Sequence, residues 1–95
     1  MRLRFAFLTV AALGLSACAA ALPEGLSLQD VLAFGAGMEK AGCHVETDAK
    51  AKVVQDHTGF DEDKLREISR YMLDQGTLIH EGTGIRLVTG NCADA

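Results

Sequence analysis

The chain has no tryptophan, and only 5% of its 95 residues are aromatic. Its core must therefore be aliphatic. There is no apolar run of the roughly 20 residues that a membrane-spanning helix needs. The longest, Phe5 to Leu15, covers eleven positions. No C-x-x-C pair is present among Cys18, Cys43 and Cys92, and no H-x-H or H-x-x-x-H among His44, His57 and His80. The spacing that makes a zinc reading strong is thus missing. Basic residues are in the minority, 9 against 13 acidic ones. A chain of that balance has no general attraction to phosphate backbones, the main source of nucleic-acid affinity, or to anionic lipid.

What is present begins with Met1-Arg2-Leu3-Arg4, then the apolar run, then the small residues Ser16-Ala17-Cys18-Ala19. Basic start, short apolar stretch and small-residue site, in that order, are the marks of an export signal. The first 17 residues are expected to leave, so 78 of the 95 remain, enough for one small domain. Arg2 and Arg4 leave with them, and 7 basic residues then face 13 acidic ones, a net charge of −6.

Leu15-Ser16-Ala17-Cys18 resembles the lipobox of bacterial lipoproteins. The resemblance implies cleavage before Cys18, acylation of that cysteine and a lipid anchor. Ala19, where an aspartate would favour inner-membrane retention in that family, leans towards the outer membrane. The competing reading is ordinary cleavage after Ala19 or Ala21, with small residues at −1 and −3, leaving a soluble periplasmic protein.

Both readings remove Cys18 from the thiol count and leave Cys43 and Cys92. Two cysteines in an exported small domain are most simply a disulfide. The bond would join positions 49 apart. Chain entropy values such a loop at about 4 kcal/mol, which matters in a domain of marginal size.

Residues 18–26, with the single proline at Pro23, read as a tether, residues 27–92 as a domain and residues 93–95 as a tail. Ser27 can cap a first helix, with Asp30 suited to its positive end. Leu28, Val31, Leu32, Gly35 and Met38 fall on one face with Phe34 at the edge. Gly35 and Gly37 weaken the helix, and Gly35 suggests close packing against another element. Gly42 ends it. Their G-x-G follows no strand, so a phosphate loop is rejected. Cys43-His44-Val45 is a short extended piece. Thr47 or Asp48 caps a second helix through about His57, with Ala49, Val53, Val54 and His57 as its apolar face. A third helix starts at Asp61, stapled by Phe60 and Leu65. It carries Leu65, Ile68 and Met72 inward and stops at Gly76. Leu78-Ile79 and Ile85 to Val88 flank Gly82-Thr83-Gly84 as a hairpin, with a two-residue and a three-residue loop both open. The facing of His80 depends on which is taken.

Helix, short strand, helix, helix, hairpin resembles the winged helix fold over roughly Leu26 to Cys92. The expected class is α+β: three helices, a C-terminal β-hairpin, a short extra strand and one disulfide. The resemblance implies that the strand after the first helix pairs with the last hairpin strand, which brings Cys43 and Cys92 into one region. Many winged helices read DNA with the third helix. Here Asp61 to Gln75 holds Lys64, Arg66 and Arg70 against five acids, a net −2, where a groove reader needs a basic stripe.

Function follows less directly, because fold does not confer it. No residue pattern marks an enzyme. Ser69 has no G-x-S-x-G around it, and Asp61-Glu62-Asp63 lacks the spaced acidic loop of a calcium site. A non-catalytic envelope module is the favoured expectation. It has no cofactor, no metal and no nucleic-acid partner. Its envelope protein partner would meet Lys64, Arg70, Arg86 and Val88, and Cys18 would supply the membrane anchor. The alternatives are a metal-binding periplasmic protein using His44, His57 or His80, and a small enzyme with an unrecognised site.

Overall fold

Three capped helices and a small sheet follow from local signals in the sequence. A computed structural model describes residues 22–94. The export signal, Cys18 and the first part of the tether lie outside these residues. Helix α1 (Leu28–Lys40) opens with a reciprocal capping box. The Asp30 N–H donates to Ser27 Oγ at 3.2 Å, and the Ser27 N–H donates to Asp30 Oδ2 at 3.0 Å. Two otherwise orphaned backbone donors are thereby satisfied. The helix closes where Gly42 turns left-handed at φ +94 and Cys43 follows at φ +69. The N–H groups of Gly42 and Cys43 return to the carbonyls of Glu39 and Met38, the double return of a Schellman ending.

Strand β1 (His44–Val45) leads to helix α2 (Asp48–Thr58), capped by Thr47, whose hydroxyl accepts the Lys50 N–H. Helix α3 (Glu62–Gln75) is capped by Asp61, which accepts the Lys64 N–H at 2.8 Å, and it stops at Gly76. Strands β2 (Leu78–Glu81) and β3 (Gly84–Leu87) form the hairpin, and a 3₁₀ turn (Gly90–Cys92) follows.

The sheet order is β1-β3-β2, antiparallel throughout. The pairing of β1 with the last hairpin strand is the arrangement expected, and three helices on such a sheet are compatible with a winged-helix-like topology. Glu81 pairs with Gly84, so the hairpin takes the two-residue loop Gly82-Thr83. His80 then pairs with Ile85 and Ile79 with Arg86. Gly84 sits under the exit of β1, where a side-chain carbon would come within 2.6 Å of Glu46 Cα.

Cross-strand partners share a face. Leu78 and Leu87 point into the core, where they meet Phe34, Met38, Ile68 and Met72. Cys43 and Cys92 are joined, with Cα atoms 5.6 Å apart. The Leu87 N–H donates to the Cys43 carbonyl at 2.9 Å, so the β1–β3 pairing is what brings the two cysteines together.

Four local expectations need correction. The inward face of α1 is Phe34, Gly37, Met38 and Ala41, whereas Leu28 and Leu32 are 61% and 58% exposed. Gly35 has open space where its side chain would be, and Gly37 is the glycine packed against Val54. On α2 only Val54 is buried; Ala49, Val53 and His57 are exposed. The tether ends early, because a turn from Pro23 to Leu26 buries Leu26 in the core.

Candidate interaction surfaces

Register and helix phase sort the charged and apolar side chains of this small domain into three surfaces. The first is the sheet face turned away from the helices. His44 and Arg86 are cross-strand partners there, as are Ile79 and Arg86. Arg86 Nε donates to Glu81 Oε2 at 2.6 Å. His44 is only 16% exposed at its side chain, and its Nε2 lies 3.3 Å from the Glu81 carbonyl oxygen. Glu46 and Glu81 carboxylates each approach a ring nitrogen to 3.8 Å. The half-exposed Ile79 is the apolar member of this face. Val88 follows β3 and is half-buried, its N–H donating to the Thr77 carbonyl at 3.1 Å.

The second surface is the outer side of α3. Asp63, Arg66, Glu67 and Arg70 recur at three- and four-residue spacing, opposite buried Ile68 and Met72, and line one shallow groove. Arg66 reaches Glu62 and Asp63 at 3.3 and 3.2 Å. Lys64 is not part of this groove. It lies a quarter turn round, over the Phe60 ring at 4.5 Å and 3.1 Å from Asp30. It ties α3 to α1 while one-third of its side chain stays exposed.

The third surface is an apolar groove of about 280 Å3 along α1. Val31, Leu32, Gly35 and Ala36 form one wall, and Thr77 and Leu87 contribute to the other. This surface is not legible in the sequence, where Leu28 and Leu32 count as core.

The expected site residues thus separate. Cys43 and Cys92 are bonded. Lys64, one-third exposed, pairs with Asp30, Arg70 belongs to the α3 groove, and Arg86 belongs to the outer sheet face. Cys18 lies outside the described residues. The histidines do not converge. His44 is on the outer sheet face, His80 shares the opposite face with Ile85, and His57 is exposed on α2. Among the described residues no group of three or more His, Cys, Asp or Glu is placed to hold a metal ion. None of their helices is long and apolar enough to cross a membrane.

The Asp30 carboxyl has a lowered pKa. The Ser27 backbone N–H, and after it Lys64, holds it below the ordinary 3.8. No protein-family model, curated protein or solved structure matches the chain.

Proposed function

We propose that this protein is a small exported component of a bacterial cell envelope, anchored by acylated Cys18 and acting as a non-catalytic interaction module. The observation that carries the reading is the Cys43–Cys92 bond behind an export-type leader. Both cysteines beyond the lipobox-like stretch are joined, which is consistent with an oxidising compartment. The third cysteine stands where the lipobox pattern puts the acylated residue. Ala19 after it favours the outer membrane.

The domain is proposed as a winged-helix-like fold used for protein contact rather than DNA reading. Of the three basic residues of α3, Lys64 pairs with Asp30 and Arg66 with Glu62 and Asp63. That supports a mixed-charge surface, which suits steering and register with a protein, over a stripe able to neutralise a polyanion. Arg70 with the groove around it, and Arg86 with Ile79 and Val88, are the proposed partner-facing groups.

The test has two parts. Intact mass of the mature protein is expected to show acylated Cys18; an unmodified chain beginning at Ala20 or Leu22 would replace the anchor by a soluble periplasmic state. Crosslinking in the intact envelope is expected to yield a protein partner that is lost on Arg66→Glu with Arg70→Glu, or on Val88→Asp. The same partners with a folded variant would remove this surface from the proposal. Salt-sensitive DNA binding by the wild type would overturn the protein-contact reading.

A further inference from the structure

The proposed protein contact does not use the apolar groove of α1. Leu28 and Leu32 lie one helical turn apart and are both mostly exposed, while Phe34 and Met38 on the other side of the same helix are buried. Gly35 and Ala36 continue the stripe, so it runs uninterrupted through the first two and a half turns. At the last turn it becomes polar. Glu39 occupies the same side there and accepts from Asn91 Nδ2 at 3.2 Å. The stripe is therefore apolar at the N-terminal end of the helix and closed by a carboxylate at the other.

The N-terminal end is also the end nearest Cys18 along the chain. Leu28 lies ten positions after Cys18, so even a fully extended chain reaches about 36 Å at most. The turn from Pro23 to Leu26, closed by the Leu26 N–H on the Pro23 carbonyl at 3.1 Å, takes up part of that length. Leu22 and Pro23 are half-buried, Glu24 and Gly25 are exposed, and Leu26 lies in the core. An acyl chain on Cys18 would thus hold the first turns of α1 close to a bilayer surface. Under such a tether a second contact is intramolecular, at an effective concentration in the millimolar range. A small apolar face is then enough.

We propose that the α1 face formed by Leu28, Leu32, Gly35 and Ala36 rests on a zwitterionic membrane surface and holds the anchored domain in one orientation. The proposal depends on acylation of Cys18 as read above. The lipid class follows from charge. With the leader removed the chain carries −6, and α1 has no basic face like that of helices that bind anionic lipid. Neutral headgroups accept the two leucines without that repulsion. The contact is shallow, of the kind in which an interfacial helix sinks its apolar side about 5–10 Å into the headgroup boundary.

The absence of tryptophan makes the test direct, because one introduced indole reports alone. The acylated full-length protein, its anchor verified by intact mass, is reconstituted into phosphatidylcholine vesicles containing brominated acyl chains. Leu32→Trp is expected to lose about half of its emission or more, as a ring at the headgroup boundary would. Ile79→Trp, on the sheet face turned away from the helices, is expected to keep its emission. Adding Leu28→Glu to Leu32→Trp is expected to restore emission while circular dichroism stays unchanged. An acylated protein whose Leu32→Trp is unquenched, or quenched no more than Ile79→Trp, overturns the docking and leaves the anchor standing. A mass without the acyl group overturns the anchor and the docking together. Sedimentation showing a dimer that Leu32→Glu dissociates, with no quenching by lipid, assigns the face to a second copy and likewise overturns the proposal.

Discussion

Lys64 on α3 reaches Asp30 on α1 at 3.1 Å, and that same carboxylate completes the capping box of α1. One side chain therefore serves two elements: it closes the start of a helix and ties that start to a second helix. The Ser27 N–H is the largest influence on the Asp30 carboxyl, and Lys64 adds to it; both favour the ionised form.

An acid dependence follows. The folded-state pKa is below the ordinary 3.8, so the stability contributed by this carboxylate is fully present above that pH. It is lost as the pH falls through the folded value. Asp30→Asn is expected to lower the urea midpoint at neutral pH, and the gap from wild type is expected to close below pH 3.8. A gap that persists undiminished at lower pH would show that the amide disrupts something other than this charge.

The disulfide closes a loop between positions 49 apart. Cys43→Ala with Cys92→Ala is expected to destabilise the domain by about 4 kcal/mol on the chain-entropy estimate. Cys43 also holds φ +69, a region that costs a side-chain-bearing residue about 1–2 kcal/mol. Cys43→Gly with Cys92→Ala is therefore expected to be the more stable of the two double variants by about 1 kcal/mol. Urea denaturation of both under non-reducing conditions measures the difference.

The two glycines inside α1 are expected to respond to alanine with opposite signs. Gly35 has nothing within 4 Å of an added side chain, so Gly35→Ala should stabilise by about 1 kcal/mol through helix propensity. At Gly37 the added carbon would sit 3.1 Å from Val54 Cγ1 and 3.4 Å from Val54 Cα. Gly37→Ala should destabilise by about 1 kcal/mol, because the Val54 side chain must give way in a packed helix–helix seam. Thermal or urea midpoints decide both.

The phase of α1 predicts a sharper contrast. Phe34, 2% exposed, should lose about 3–5 kcal/mol on truncation to alanine. Leu32, 58% exposed, should change stability by less than about 0.5 kcal/mol. Equal effects at the two positions would return Leu32 to the core.

Legibility in the sequence varies with how much local chemistry each element carries. Helix α3 is fully readable: Asp61 caps it, Phe60 and Leu65 flank its start, Ile68 and Met72 are spaced for one face, and Gly76 stops it. The pairing of Cys43 with Cys92 follows from parity and from the expected strand order, and both agree with the structure. The face of α1 is not readable, because Val31, Leu32, Ala33, Phe34, Gly35, Ala36, Gly37 and Met38 are apolar or small in succession. Such a run has no polar side to set the phase. The split of the expected partner-facing residues has a similar cause. Lys64 could pair outward or with Asp30, and only the approach of α1 to α3 selects between them.

The sequence by itself determined where the helices begin and end, since caps, staples and terminal glycines act within a few residues of one another. It also determined the cysteine parity and the charge balance, which need no coordinates. Tertiary structure alone decided three things. It selected the two-residue hairpin loop, through the pairing of Glu81 with Gly84. It turned Leu28 and Leu32 outward by seating Phe34 and Met38 in the core. It drew Lys64 away from the outer face of α3 to Asp30. Each of these is a choice between local alternatives of similar energy, settled by contacts between elements distant in the chain.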